Sequence, residues 1–371
     1  MSLQETSFSG VANTGLTCLQ CVARISRWLG VAWIVLSLPL AWWDLQGRLI
    51  IEARAGVSLF KLWIFWATWA TLPLLLDAAI QLLQASCLRM QRWAKALWAA
   101  GLLLVAYSGL LEPRLLQVHT HRITLQASQG ATQAATSSPA AQPLRIALVA
   151  DMHVGLFVRN WQLERLVNTL NALDVDAVVV AGDWTYEPQR DLLAGWAPLK
   201  RVRHPLFGVL GNHDTQAPGP DLASALQQAL QHNGVQLLDG QTRHFKGWEL
   251  VGLSDLWGGN PRAEIAQLLQ PTQQPATAPR LIVMHQPDTA ALLPPAQGAT
   301  LMVSGHTHGG QIMLPWITRR YVLPGMSAQG WFEGHYRTAA GDLFVTAGTG
   351  TIGLPARLGV VPRVDVLHLK P

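Results

Sequence analysis

The sequence predicts a layered α/β domain preceded by an α-helical membrane region. Three observations carry this. Before residue 112 lie three long apolar stretches free of charge. From residue 144 onward, short continuous apolar runs alternate with amphipathic segments. Five of those runs lead into Asp, Asn or His. The chain has 371 residues, room for about two domains at ~150 residues each. Half of it is apolar and 13% is charged. An ordinary soluble chain carries roughly 25% charge, so general disorder is excluded.

The membrane region is expected over residues 1–125. Its apolar stretches are 28–43, between Arg27 and Asp44; 62–76, between Lys61 and Asp77; and 96–111, between Lys95 and Glu112. Each core has 15 or 16 residues, somewhat short of the ~20 of a typical span. Trp28, Trp42, Trp43, Trp63 and Trp93 at their edges are expected to anchor at the interface and lengthen each span. A soluble helical bundle would need a polar face on each helix, and these stretches have almost none. A cleaved signal peptide is disfavoured, because Ala-Trp-Trp-Asp at 41–44 makes a poor cleavage site. Cys18 and Cys21 form a lone CxxC with no second pair, read as incidental rather than as a zinc site. The remaining cysteine is Cys87, so the second half has neither disulfides nor thiolate chemistry. The expected location is a membrane crossed several times, the inner or plasma membrane if the source is bacterial. Lys and Arg around the span ends divide five against four, which favours neither orientation.

Residues 1–143 hold ten Lys/Arg and five Asp/Glu, whereas 144–371 hold seventeen of each. The net +5 therefore lies wholly in the apolar part. A neutral C-terminal part lacks the electrostatic footprint of a nucleic-acid binder. Residues 126–143 (QASQGATQAATSSPAAQP) are polar and low in complexity, and are expected to form a disordered linker.

Residues 144–371 are expected to form one domain. The runs 144–150, 177–181, 206–210, 281–284 and 300–304 read as strands. Helical patterns occupy 161–173, 192–203, 221–232 and 262–269. Continuous apolar strands between amphipathic helices imply a sheet covered on both faces. Residues 236–238, 244–246, 250–253, 343–346 and 363–369 read as further strands, partly antiparallel.

In such sheets ligands bind beyond the carboxyl ends of the strands. The first run leads into Asp151 and His153, the second into Gly182-Asp183, and the third into Gly211-Asn212-His213-Asp214. The fourth leads into His285, and the fifth into Gly305-His306-Thr307-His308-Gly309-Gly310. Carboxylate, amide oxygen and imidazole suit borderline divalent ions such as Mn2+, Fe2+, Zn2+ and Co2+. The lack of thiolate argues against structural zinc. Seven donors (Asp151, His153, Asp183, Asn212, His285, His306 and His308) exceed one open catalytic ion and fit two ions sharing a carboxylate. Residues i and i+2 of an extended chain point the same way, so each Asp-x-His or His-x-His pair can face one site. Glycines before Asp183, Asn212 and His306 permit sharp turns and close approach.

The ordered set D-x-H, G-D, G-N-H-D, H and G-H-x-H resembles the calcineurin-like metallophosphoesterases over essentially residues 144–371. His285-Gln-Pro-Asp288, residues 305–311 (GHTHGGQ), and the closing Ala347-Gly-Thr-Gly350 and Leu354-Pro-Ala-Arg357 are similar to a bacterial membrane-associated subgroup. A related vertebrate group also joins N-terminal spans to this domain. The resemblance implies a four-layer α/β/β/α sandwich and two divalent metal ions. It implies that Asp151, His153, Asp183 and His308 hold one ion, and Asp183, Asn212, His285 and His306 the other, with Asp183 bridging. Mn2+ is the expected metal, with Fe, Zn and Co as alternatives. Two features depart from the subgroup: Trp184-Thr185-Tyr186 after Asp183, and Arg363 after Pro362. Both bear on substrate choice.

Two ions roughly 3.5–4 Å apart bind a bridging hydroxide and clamp two phosphoryl oxygens. His213, beside Asn212 and not needed as a ligand, is the expected general acid or donor to the phosphoryl group. Asp214 is a candidate to orient His213, its alternative being a turn or cap residue. Trp184, Tyr186 and Trp257 follow strand ends, either flooring a substrate pocket or packing at its rim. His335 is expected in a loop that can reach the site. Residues 321–326 with Trp331 and Phe332 read as an apolar loop that dips into a bilayer, grips an acyl chain or joins the core.

The expected function is a membrane-anchored phosphoesterase, hydrolysing a phosphodiester or pyrophosphate bond in a lipid- or nucleotide-linked substrate. Its alternatives are a UDP-diacylglucosamine-type pyrophosphatase of lipid A synthesis and a metal-binding scaffold without catalysis. A sensor or transport accessory is opposed by the absence of charge inside the apolar stretches.

Overall fold

The computed structural model describes residues 8–50, 54–84, 89–125, 142–215, 222–269 and 278–371. They divide into two units. The first gathers the N-terminal helices up to Leu111. These are Phe8–Gln46, Ala55–Ala67 continuing through Thr68–Ala70 into Thr71–Leu83, and Arg89–Ala106. Three stretches, Cys18–Gln46, Ala55–Leu83 and Gln91–Arg114, are long and apolar enough to cross a membrane. At 29, 29 and 24 residues they reach roughly 36–44 Å, longer than the charge-free cores alone suggest. Only 22% of the most apolar window of each is buried, and Trp28, Trp43 and Leu97 are exposed. A lipid-facing helix presents such a surface, and a helix of a soluble bundle does not. Two tryptophans tie helices together: Trp63 Nε1 donates to the Ile34 carbonyl at 3.1 Å and Trp33 Nε1 to that of Trp66 at 2.8 Å.

The second unit comprises Gly47–Ala55 and Glu112–Pro371. Its strands are β1 (Gln117–Thr124), β2 (Leu144–Val149), β3 (Val154–Gly155), β4 (Ala177–Ala181), β5 (Thr185–Tyr186), β6 (Leu206–Val209), β7 (Val235–Leu237), β8 (Gln241–Phe245), β9 (Trp248–Gly252), β10 (Arg280–Val283), β11 (Thr300–Ser304), β12 (Gly334–Thr338), β13 (Gly341–Val345) and β14 (Arg363–Lys370). One sheet has the order β1-β14-β2-β4-β6-β7, the other β12-β13-β11-β10-β9-β8, and β3 pairs with β5. The strands β2, β4, β6 and β7 are parallel, as are β9, β10, β11 and β13.

Period-two alternation sorts the apolar side chains into layers. Ile146, Leu148, Val179 and Val209 of the first sheet pack on Leu281, Val283, Leu301 and Val303 of the second. The opposite face of the first sheet, Ala147, Val149, Val178 and Val180, meets Leu163, Leu166, Leu226 and Leu230. Those leucines belong to helices Asn160–Asn171 and Ala223–His232. Ile282, Met302 and Leu343 of the second sheet pack with Ile265 of helix Pro261–Leu268. Helix, sheet, sheet, helix is the expected four-layer sandwich.

Two boundaries differ from expectation. β1 pairs in parallel with β14 from Gln117↔Arg363 to Thr124↔Lys370. Residues 117–124 therefore belong to the α/β unit, which begins at Glu112 rather than 144. This edge strand buries only Ile123, so no apolar run announces it. The expected linker 126–143 lies outside the described residues except for 142 and 143. The helix expected over 192–203 is one turn, Leu192–Gly195, then a tighter turn, Ala197–Arg201. Gly195 and Pro198 interrupt it.

Candidate metal centre

The loops after β2, β4 and β6 of one sheet and after β10 and β11 of the other hold all seven expected donors. The donors form two groups. Asp151, His153 and His308 bring ligand atoms within 4.8 Å of one another. His153 Nε2 is 3.0 Å from His308 Nε2, which is 3.7 Å from Asp151 Oδ1. Asp183, His285 and His306 form the second group under the same limit of 4.8 Å. His285 Nε2 lies 3.1 Å from Asp183 Oδ2, 3.3 Å from His306 Nδ1 and 3.2 Å from Asn212 Oδ1. Asp183 adjoins both groups, because its Oδ2 is also 3.6 Å from His153 Nε2.

Backbone groups aim these side chains. His153 Nδ1–H donates to the Thr185 carbonyl at 3.3 Å and His285 Nδ1–H to that of Ala181 at 2.8 Å. Each bond turns Nε2 toward the centre, the orientation metal-ligating histidines need. Both oxygens of Asp151 accept the His306 N–H at 3.0 Å. Asp151, His153, Asp183, His306 and His308 all have φ between 47° and 72°. They are five of the eight non-glycine residues with positive φ among the described residues. Each costs about 1–3 kcal/mol, and such strain collects where a site overrides local preference. Two glycines make the crowding possible. A Cβ at Gly211 would lie 2.2 Å from Asp183 Oδ1, and one at Gly305 2.6 Å from Asp151 Oδ2.

The donors are buried except for the half-buried Asn212 and His306. Burial pushes His153 and His306 down to about 3 and His308 well below the imidazole range. Their lone pairs are free for a cation at neutral pH. Burial, with Asp183 adding repulsion, pushes Asp151 up to about 7. Burial also opposes charge on Asp183 and His285, but each holds the other ionised. Asp183 therefore sits well below the carboxylate range and His285 rises to about 10. Crowded carboxylates among three neutral imidazoles, with His285 paired to Asp183, are a donor set that divalent ions fit; a cation would relieve the repulsion at Asp151 and take the place of the His285 proton.

The remaining expected residues separate. His213 reaches the centre, half-buried, its ring edge-on to those of His153 at 5.3 Å and Tyr186 at 5.4 Å. Its N–H donates to Asp183 Oδ1 at 2.9 Å. Asp214, the candidate to orient His213, is no solvent-facing group. Buried, it accepts the N–H groups of Gly211 (2.8 Å), Thr185 (2.8 Å) and Trp184 (3.2 Å) and the Thr185 hydroxyl (3.1 Å). Its oxygens are engaged in bracing two loops. Trp184 is no pocket floor either. It is fully buried in the helix-facing core, donates from Nε1 to the Val209 carbonyl at 2.8 Å, and lies edge-on to Trp196. Tyr186 is buried behind the rings of His153 and His213 and supports them rather than meeting solvent. Trp257 is 65% exposed and edge-on to His306 at 4.9 Å, so it stands at the rim. His335 is not in a loop: it lies on β12, with Nε2 2.7 Å from Asp342 Oδ1 of β13.

One residue beside the centre escaped the sequence reading. Arg357 is fully buried and donates to the carbonyls of Gly350 (2.8 Å), Val360 (3.0 Å) and Ala347 (3.0 Å). Its Nη2 lies 3.3 Å from His308 Nδ1. The only sequence signal was its place in Leu354-Pro-Ala-Arg357, since no spacing rule connects it with His308.

Residues 144–310 match the family described as calcineurin-like phosphoesterase. The chain is 29% identical to an uncharacterized metallophosphoesterase of Bacillus subtilis, YkuE, over 71% of this chain and 89% of that one. It is 29% identical to phosphodiesterase YaeI of Escherichia coli, over 62% of this chain and 83% of that one. A Danio rerio protein named transmembrane protein with metallophosphoesterase domain is 28% identical over 61% of this chain and 53% of its own length. The match likewise spans only 60% of the length of a Helicobacter pylori relative.

Proposed function

We propose that this chain, which carries a calcineurin-like phosphoesterase domain at residues 144–310, is a membrane-anchored hydrolase of phosphoester bonds that uses two divalent ions. One observation carries the reading: Asp183 Oδ2 lies 3.1 Å from His285 Nε2 and 3.6 Å from His153 Nε2, so one carboxylate serves both donor groups. Asp151, His153, Asp183 and His308 would hold the first ion; Asp183, Asn212, His285 and His306 would hold the second. Divalent ions bound there would supply the charge that polarises a phosphoryl oxygen and lowers the pKa of a water beside phosphorus. His213 donates a proton to the leaving oxygen or a hydrogen bond to the phosphoryl group. Trp257 offers a ring face at the rim beside His306.

The substrate class is a phosphodiester or pyrophosphate in a lipid- or nucleotide-linked molecule, a UDP-diacylglucosamine-type compound being one specific option. The name of the E. coli relative supports the diester. The helices long and apolar enough to cross a membrane support the lipid. Residues 1–46 and 56–111 act as the anchor, and Glu112–Pro371 with Gly47–Ala55 as the catalytic unit. Mn2+ is the first metal to test.

The experiment uses the full chain in detergent with Mn2+, Zn2+, Co2+ or Fe2+. Hydrolysis of bis-p-nitrophenyl phosphate by the wild type, lost in Asp183→Ala and His213→Ala, is the expected result. A wild type that binds metal yet turns over no ester with any of the four favours the scaffold and overturns the hydrolase.

A further inference from the structure

Residues 313–325 follow the loop that carries His306 and His308. They form three short helical turns, Pro315–Ile317, Thr318–Val322 and Leu323–Gly325. Thr318 and Leu323 face inward and are buried. The Thr318 hydroxyl donates to the Ile312 carbonyl and accepts the Leu314 N–H at 3.0 Å. Both residues press on Gly310, where a Cβ would lie 2.9 Å from Thr318 Cγ2 and 3.2 Å from Leu323 Cδ2. The segment is thus fastened to the donor loop two residues beyond His308.

Its outward side is aromatic and apolar. Trp316 is 70% exposed, Tyr321 66% and Ile317 49%. The cluster is held together: the Trp316 and Tyr321 rings meet edge-on at 5.7 Å, and the Arg320 guanidinium lies 5.6 Å from the Tyr321 centroid. Arg319 is exposed beside it. Indole and phenol rings settle at the headgroup level of a bilayer, aliphatic groups dip below it, and arginine pairs with lipid phosphate. Three helices long and apolar enough to cross a membrane lie in the same chain.

We propose that residues 314–322 dock on an anionic lipid leaflet and hold the donor centre at headgroup depth. Resting on the phosphoesterase reading, this makes the substrate a lipid phosphoester rather than a free nucleotide derivative. The charges of Arg319 and Arg320 set the preference for anionic lipid, and the apolar side chains set the depth.

The test uses the full chain with Cys18, Cys21 and Cys87 replaced by alanine. A single environment-sensitive label is placed at Ile317→Cys, or at Arg337→Cys on the exposed edge of β12 as control. The protein is reconstituted in nanodiscs of equal parts phosphatidylcholine and phosphatidylglycerol. Emission at 317 is expected to shift to the blue and to be quenched about twofold or more by doxyl groups on lipid acyl chains. The label at 337 stays water-like. Arg319→Glu with Arg320→Glu weakens the quenching, and so does pure phosphatidylcholine. Water-like emission at 317 in the anionic discs overturns the proposal. A blue shift without lipid quenching overturns it too, because a second protein copy then covers the patch. Turnover of bis-p-nitrophenyl phosphate in the same discs reads the phosphoesterase proposal separately. A quenched label without turnover sinks only that reading, and turnover with a water-like label sinks only this one. Trp316→Ser with Tyr321→Ser is expected to abolish the quenching while this soluble turnover stays within about twofold, which also shows the variant folded.

Discussion

Asp183 Oδ2 and His285 Nε2 lie 3.1 Å apart although the two residues follow strands of different sheets, β4 and β10. The contact closes the seam between the sheets at the end where the donors gather. Gly182 shows how tight the closure is, since a Cβ there would lie 2.7 Å from His285 Nδ1. The first prediction concerns this contact. Asp183→Asn keeps the shape and removes the charge shared by both donor groups. Changes in the partners of metal ligands alone cost roughly 10–100-fold in affinity or activity, and loss of a shared ligand is expected to cost at least the upper figure. Metal content and ester turnover of the variant check it, and near-normal values for both would refute the shared carboxylate.

A second prediction isolates proton transfer. His213 adjoins the centre through its ring and backbone, yet neither donor group requires it as a ligand. His213→Ala is expected to lower kcat by about 10²–10⁴-fold while the metal content stays at the wild-type level. Loss of metal in that variant would make His213 a ligand instead.

Asp214 is expected to matter for stability. Asp214→Ala strips acceptors from the N–H groups of Gly211, Trp184 and Thr185. An unsatisfied buried donor costs about 1–3 kcal/mol, and a domain of this size loses roughly 2–4 °C in Tm per kcal/mol. A fall of about 5 °C or more is therefore expected. The pH profile of turnover should keep its wild-type shape, which separates a brace from a residue tuning His213.

The contrast between Asp214 and its neighbours shows what the sequence made legible. Strand ends were visible because buried strands are continuous apolar runs, such as Ala177–Ala181. The donors were visible because each follows such a run. Side-chain direction inside a turn is not encoded that way. Asp183 faces the centre, while Trp184, one residue later, swings beneath the first sheet into space left by Gly208. Asp214 and Trp184 thus carry the same positional signal as the seven candidate donors, while Asp214 accepts loop N–H groups and Trp184 turns into the core. β1 was hidden for another reason. As an edge strand of mostly polar residues, it is held by backbone bonds to β14 rather than by an apolar pattern. Arg357 stayed hidden because it meets His308 across 49 residues of sequence through an irregular loop.

The pH dependence of stability has a source away from the donors. Asp239 accepts the Leu210 N–H on Oδ1 at 2.9 Å, while its enclosed Oδ2 has no hydrogen-bond partner. Burial, with Glu264 and Asp255 adding repulsion, pushes this carboxyl up to about 6 from its ordinary 3.8. Between those values the folded chain holds a proton that the unfolded chain has released. Stability contributed by the protonated form is therefore present below about pH 4 and is lost as pH rises through about 6. A two-unit shift corresponds to at most about 3 kcal/mol. Asp239→Asn keeps the acceptor for Leu210 and cannot ionise. The difference in stability between variant and wild type is expected to grow in favour of the variant from pH 4 to pH 6.5 and to level off above. Urea unfolding of both proteins across that range measures the slope. A parallel pair of curves would show that the Asp239 carboxyl titrates alike in the folded and unfolded chains.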